Sequence, residues 1–426
     1  MRYDTIIIGG GLSGLVCGIK LQEAGRSCAI ISAGQSALHF SSGAFDLLGV
    51  TADGTEVERP FDALKSLPAE HPYSKVGADG VEAYARALPQ WFAQMGIVLN
   101  GDVERNSSRI TPLGIVRKSW MMLDEYTPLA DEAAIAGSRY LIVNFAGFLD
   151  FYPKFIADCL EQRGGKCRIE VLSMSAVEKL RINPTEMRSA NIAKVFQSQR
   201  QLDKLVELVN SKASEGETVV LPATFGLSDT LPVEYLRSHC RNNLMFVSPV
   251  PPSISGIRVQ RRLQAHFVKL GGRFYAGDTV NGATLEGNRV TGIATVNHSD
   301  ILFHADNYVV ATGSFFSNGI VARSNEVVEP IFGADVNYDT NRDRWFDRCV
   351  MNRQPYMDFG VATDADFRML KGGRPFDNMY AIGSVLDGHN PLEEGSGSGV
   401  AIITAMHVAN SILTNTAKRG IFKITT

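Results

Sequence analysis

The sequence lacks paired cysteines, a strong net charge and a long uninterrupted apolar run, and each absence removes a class of function. Its six cysteines, Cys17, Cys28, Cys159, Cys167, Cys240 and Cys349, form no CxxC pair. They offer no ligand framework for structural zinc or an iron–sulfur cluster, so no metal site is expected. Scattered singly, they read as small buried hydrophobes. A formal net charge of −3 gives no electrostatic reason to expect nucleic acid or an anionic membrane surface as partner. No stretch of about 20 apolar residues stands out, so a membrane span is not expected. The opening "MRYDTIIIGGG" enters a buried strand at once, without the regions of a signal peptide, and the expectation is a cytoplasmic protein. The 426 residues, 45% hydrophobic and 20% charged, suit one large or two ordinary domains with a well-buried core.

A further absence is local. "YDTIIIGGGLSGLVCGIKLQEAGRSCAIIS" reads as strand, tight turn, helix and strand. Gly9 suits the tight turn, Gly11 a close approach of backbone to a phosphate, and Gly14 close packing of helix on strand. The helix N-terminus then offers unpaired N–H groups and a positive dipole end to an anion. About 20 residues on, such units carry a carboxylate for an adenosine ribose. Here that place is taken by Ser32.

Between residues 138 and 247 strand and helix alternate again: "RYLIVNF", "FYPKFIADCLEQR", "CRIEVLSM", a helical stretch at "DKLVELVNSKA", then "ETVVLPA", "PVEYLRSHC" and "LMFVSP". Such alternation argues for a second parallel sheet. It holds no glycine-rich phosphate loop, so it reads as a substrate or partner domain. The pattern breaks at "SPVPPSISG", after which come the helix "RVQRRLQAHFVKL" and short strands. The expected fold is α/β: a Rossmann-like flavin domain of residues 1–60 and 250–426, split by an α/β insertion of residues 61–249.

Two later segments carry chemistry. "YVVATGSFFSNG" ends a buried strand in small residues, Ala311, Thr312 and Gly313, where the chain could pass close to a cofactor. "YAIGSVLDGHNPLEEGSGSGVA" ends a strand at Gly383 and Ser384 and opens a helix near Gly397 and Gly399. That helix start suits negative charge, such as that of a reduced flavin ring.

In this order the three segments resemble the two-dinucleotide-binding flavoproteins related to fumarate reductase. "ALHFSSGAFDLLG", "TPLGIVRKSW", "PPSISGIRVQRRLQAHFVKLGG", "VATGSFFSNG" and "AIGSVLDGHNPLEEGSGSGV" further resemble the B subunits of anaerobic glycerol-3-phosphate dehydrogenases, nearly end to end. The resemblance implies oxidation of sn-glycerol 3-phosphate to dihydroxyacetone phosphate, with electrons passed to a quinone and fumarate or nitrate as terminal acceptor. It implies a catalytic dimer with an A subunit and docking to the inner membrane through an iron–sulfur C subunit. It also implies FMN, which has no adenosine ribose and would explain Ser32; FAD held by other groups is the alternative. A second functional reading stays open, in which the A subunit oxidises the substrate and this chain only relays electrons.

In relatives the stretch after the second strand wraps the flavin, which here means His39, Ser41, Ser42 and Gly43. His39 is read as a hydrogen-bonding residue rather than a covalent attachment. The reaction needs a base for the alcohol proton and cations for the phosphate. His389, in "DGHNP", is the candidate base. Arg258, at a helix start, and Arg353 are the candidate phosphate ligands, since guanidinium can bind phosphate bidentately.

Overall fold

The computed structural model describes residues 1–424. Its chain divides into two units, Met1–Ala37 with Asp46–Met95 and Arg262 onward, and Leu38–Phe45 with Gly96–Arg261.

The first unit opens with β1 (Arg2–Ile8), α1 (Leu12–Glu23) and β2 (Cys28–Ser32). Ile6, Ile7 and Ile8 on β1 are sealed from solvent, as a β-branched run covered on both faces should be. Leu15, Val16, Ile19 and Leu21 of α1 are also fully buried, each contributing about 1.5–3 kcal/mol of transfer free energy. After residues 38–45, which group with the second unit, the chain returns and forms α2 (Pro72–Val76) and α3 (Ala78–Ala93).

In the second unit Ala44–Phe45 pairs with Met121–Leu123, which also pairs with Leu99–Asn100. Its main sheet comprises β3 (Arg139–Phe145), β4 (Lys166–Leu172), β5 (Glu217–Pro222) and β6 (Leu244–Val247). The order is β6-β5-β3-β4 with every pair parallel, connected through helices α4 (Pro153–Glu161), α5 (Gln199–Lys212) and α6 (Leu231–His239).

Helix α7 (Ile254–Lys269) leads back to the first unit, whose sheet is completed by β7 (Arg273–Ala276), β8 (His304–Val310), β9 (Arg368–Lys371) and β10 (Arg374–Ala381). The order is β7-β2-β1-β8-β10-β9, parallel except for the β9–β10 pair. The last element is α8 (Gly397–Ile424).

Three expectations change. Residues 61–95 group with the flavin-type sheet rather than the insertion, because Trp91 of α3 donates to Glu23 of α1 at 2.8 Å and α2 packs against α8. Residues 38–45 group with the other unit, drawn there by the Ala44–Phe45 pairing. The stretch Gly397–Asn415 is, by length and composition, sufficient to cross a membrane, against the expectation that no such run exists. In the structure most of this stretch is buried, with α1 packed against it.

Candidate active site

The parallel strands of the first unit bring three chain breaks to one sheet end. Gly9 N donates to Ile31 O of β2 at 2.8 Å, Ala311 N to Ile8 O at 2.8 Å, and Ile382 N to Val310 O at 2.9 Å. The turns after β1, β8 and β10 are therefore neighbours. Gly9 has φ +119°, and a Cβ there would lie 2.1 Å from Ala311 O, so only glycine closes the turn. A Cβ on Gly14 would lie 2.0 Å from Gly9 O, which accounts for the tight strand–helix approach.

Gly11 caps α1 without a side-chain hydrogen bond, and a Cβ there would meet only Ser36 Cβ at 3.7 Å. The first N–H groups of α1 have no intrahelical acceptor. Thr312 Oγ1 is buried without a hydrogen-bond partner among the described residues. Gly313 (φ +82°) follows, with Ser384 Oγ 3.6 Å from its would-be Cβ. Gly383 N donates to Thr404 of α8 at 3.0 Å, and a Cβ on Gly383 would strike Ser13 of α1 at 2.7 Å. An open helix start, an orphaned hydroxyl and glycine-lined turns at one sheet end fit a flavin and its phosphate; when bound, a flavin supplies a two-electron acceptor there.

Ser32 stands at the expected strand end, but its hydroxyl donates to Gly34 O at 3.1 Å and packs beneath Gly10. Gly399 is glycine for packing: a Cβ would lie 2.2 Å from Tyr73 Oη and 3.0 Å from Asp46 O. Its N–H is taken by Asp46 O at 2.9 Å, while Gly397 sits against Pro391.

His39, Ser41, Ser42, Gly43 and Arg258 belong to the second unit. His39 O accepts from Ser253 N at 2.8 Å; burial, with opposing help from Gln260, lowers the imidazole below its ordinary value. Ser42 O accepts from Ser248 Oγ at 2.7 Å, Ser41 Oγ from Gly43 N at 3.2 Å, and Gly43 lies under the Tyr126 ring.

Arg258 does not sit as a phosphate ligand would. Helix α7 begins four residues earlier than expected, which turns Arg258 inward. At 3% exposure it donates to the Glu125 carboxylate, to Gly226 O and to Phe225 O at 3.4 Å. Burial raises Glu125 despite the guanidinium beside it. Arg353, in the first unit, is half-exposed and paired with Asp358 at 2.8 Å and Glu393 at 3.4 Å.

His389 lies on the loop joining β10 to α8 at 3% exposure. Neither ring nitrogen makes a hydrogen bond among the described residues, although the Asp387 backbone is close enough to favour a protonated ring. Burial pushes its pKa down to about 4, with His71 acting in the same direction and Glu394 against it. The same loop holds Asp387, which bonds Asn337 and lies 3.8 Å from Lys75 of α2; burial raises it.

The sequence does not single out His71. "EHPY" carries a weak signal, a helix-capping residue before proline, but the partner of His71 is Glu394, 323 positions away. Among the described residues no group of three or more His, Cys, Asp or Glu is placed to hold a metal.

Comparison with known proteins gives this geometry its context. Residues 4–400 match the FAD binding domain family. The B subunit of the anaerobic glycerol-3-phosphate dehydrogenase of Yersinia enterocolitica is 41% identical over 417 residues, covering 97% of this chain and 98% of that one. The protein of that name from Pectobacterium atrosepticum is 38% identical over 416 residues, covering 97% and 99%. Among solved structures, 3-ketosteroid delta1-dehydrogenase from Sterolibacterium denitrificans aligns at 12% identity and a TM-score of 0.46, over 97% of this chain and 100% of that one. With a flavin cofactor implied by its family and relatives matched along nearly its full length, the chain belongs to the family of anaerobic glycerol-3-phosphate dehydrogenase B subunits, flavin-dependent oxidoreductases.

Proposed function

We propose that this chain oxidises sn-glycerol 3-phosphate to dihydroxyacetone phosphate, with His389 as the base that takes the hydroxyl proton. The observation that carries this reading is the buried imidazole, both nitrogens without a hydrogen bond among the described residues, on the loop between β10 and α8. An unpaired polar group in such a place is costly unless a ligand meets it. Burial keeps the ring neutral near pH 7, the form a base requires. Arg353 is the proposed phosphate ligand, the phosphate displacing Glu393; Arg258 is not carried forward.

The proposed cofactor is FMN. Ser32 turns its hydroxyl back to the main chain and presents no carboxylate for an adenosine ribose. The FAD binding family match supports FAD as the second reading. Releasing the flavin with acid and separating it against FMN and FAD decides between them. Thr312, Gly313, Gly383 and Ser384 are proposed to line the flavin; His39, Ser41, Ser42 and Gly43 are proposed contacts on the strength of the family resemblance. The proposed partners are the A subunit and an iron–sulfur C subunit, through which the cytoplasmic chain would sit at the inner membrane and pass electrons to a quinone.

The relay reading, with substrate oxidised on the A subunit, gains from one observation: the burial of Arg258 removes a candidate phosphate ligand. Mixing the purified, flavin-loaded chain with glycerol 3-phosphate under anaerobic conditions separates the two. Bleaching of the flavin absorbance that is lost in H389N supports oxidation here; no bleaching in the wild type supports the relay.

A further inference from the structure

Resting on the reading of His389 as base, we propose that Glu394 is a positioning residue whose carboxylate balances the imidazolium formed on His389, and that His71 holds that carboxylate charged. In the step concerned, the substrate O–H bond breaks and an N–H bond forms on His389. Positive charge then appears on a ring that is 3% exposed. Without a counter-charge, burying an imidazolium is strongly unfavourable.

The geometry assigns the counter-charge. His71 caps α2 by accepting the Tyr73 N–H on Nδ1 at 3.0 Å. The neutral ring must therefore carry its hydrogen on Nε2, which faces Glu394 Oε2 at 3.3 Å and donates to it. Two more donors converge on this carboxylate, Asn390 N at 3.1 Å and Ser396 Oγ at 2.8 Å. Burial alone would raise Glu394, but the His71 hydrogen bond and the pull of that ring, with the Asn390 N–H, outweigh it and hold the carboxyl below its ordinary value. The His71 and His389 rings meet edge to face at 6.2 Å between centroids. Glu394 is the side chain that favours charge on His389, while His71 disfavours it.

Two other carboxylates nearby have cations of their own. Asp387, on the same loop, lies beside Lys75, and Asp358, whose carbonyl accepts from Gly388 N, is paired with Arg353. Glu70 contacts Gly388 through its main chain and acts on Asp387.

The test is the pH dependence of flavin reduction by glycerol 3-phosphate in the assembled enzyme, run beside carbon-13 NMR titration of the purified chain. With eight histidines in the sequence, the His389 signal is identified by its loss in H389N. E394Q is expected to lower the His389 midpoint, move the acid limb of the rate profile to lower pH and cut the plateau about ten-fold, a fraction of what a general base contributes. E394D is expected to restore most of the plateau. H71N keeps an acceptor for the Tyr73 N–H but deletes the donor to Glu394. It should keep the plateau and move the acid limb to higher pH, because Glu394 now takes up its proton sooner. Flavin absorbance checks that each variant is folded. An unmoved midpoint and limb in E394Q, or an H71N limb moved to lower pH, overturns the proposal. Full turnover in H389N overturns the base reading beneath it, and is read separately from the midpoint shift.

Discussion

Replacing Arg258 by methionine isolates a buried charge, and the consequence can be worked through. Arg258 and Glu125 are 3% and 4% exposed and satisfy one another inside the second unit. Glu125 Oε2 already has no partner among the described residues, so R258M leaves the whole carboxylate uncompensated. Breaking a buried pair from one side costs about 3–5 kcal/mol. For a unit of this size that lowers the melting temperature by ~6–20 °C. E125L/R258M removes both charges and should recover at least half of the loss, the remainder reflecting the carbonyls of Phe225 and Gly226 left without a donor. The pH dependence has a definite sign. Burial already raises Glu125, and losing the guanidinium raises it further, so the folded variant binds the proton more tightly than the unfolded chain. R258M should therefore regain stability as pH falls toward the ordinary carboxylate range, by up to about 1.4 kcal/mol per pH unit. Differential scanning fluorimetry between pH 5 and 8 reads all three quantities. A single variant melting with the wild type, or a double variant no better than the single, would refute the reasoning. A stable double variant that had lost glycerol 3-phosphate binding would return Arg258 to the substrate.

Gly9→Ala should purify without flavin and with reduced stability, since the positive φ alone costs about 1–2 kcal/mol before the contact with Ala311 O is relieved; absorbance in the flavin bands measures it. In the native protein one thiol, the exposed Cys349, should react quickly with Ellman's reagent. Burial pushes Cys17 up to about 12 and Cys240 and Cys167 up to about 11, so these should react only on unfolding; two or more fast thiols would contradict the fold. Tyr73→Phe removes the hydroxyl that donates to Leu47 O at 2.9 Å and should cost about 1–2 kcal/mol in thermal denaturation while leaving bound flavin in place.

What the sequence discloses depends on how far apart the partners lie. β1, α1 and β2 form from contiguous residues, and their glycine spacing and apolar runs identify them without further context. "RYLIVNF" is β3 to the residue, because a parallel strand buried from Tyr140 to Phe145 reads as a near-continuous apolar run. The crossing at residues 38–45 is hidden, since a two-residue strand has no periodicity of its own. Arg258 reads as a phosphate ligand at a helix start because its partner Glu125 is 133 positions away. His389 is legible as a loop histidine, whereas its lack of hydrogen-bond partners among the described residues depends on the packing of α2 and the loop around it.

The pairing of Arg2 with His304 has a consequence for synthesis. The N-terminal β1–α1–β2 unit leaves the ribosome long before β8, the strand that covers the other edge of β1. At 5–20 residues per second that interval is roughly 15–60 s. During it the triple-isoleucine edge of β1 is an unpaired apolar template, while the second unit, whose last strand ends at Val247, can already close its own sheet. Maturation thus runs against the order of the chain: β1, made before the second unit, is enclosed after it. Yield at elevated temperature should accordingly respond to translation rate and to chaperones that shield nascent strand edges, more than to mutations in the middle of the chain.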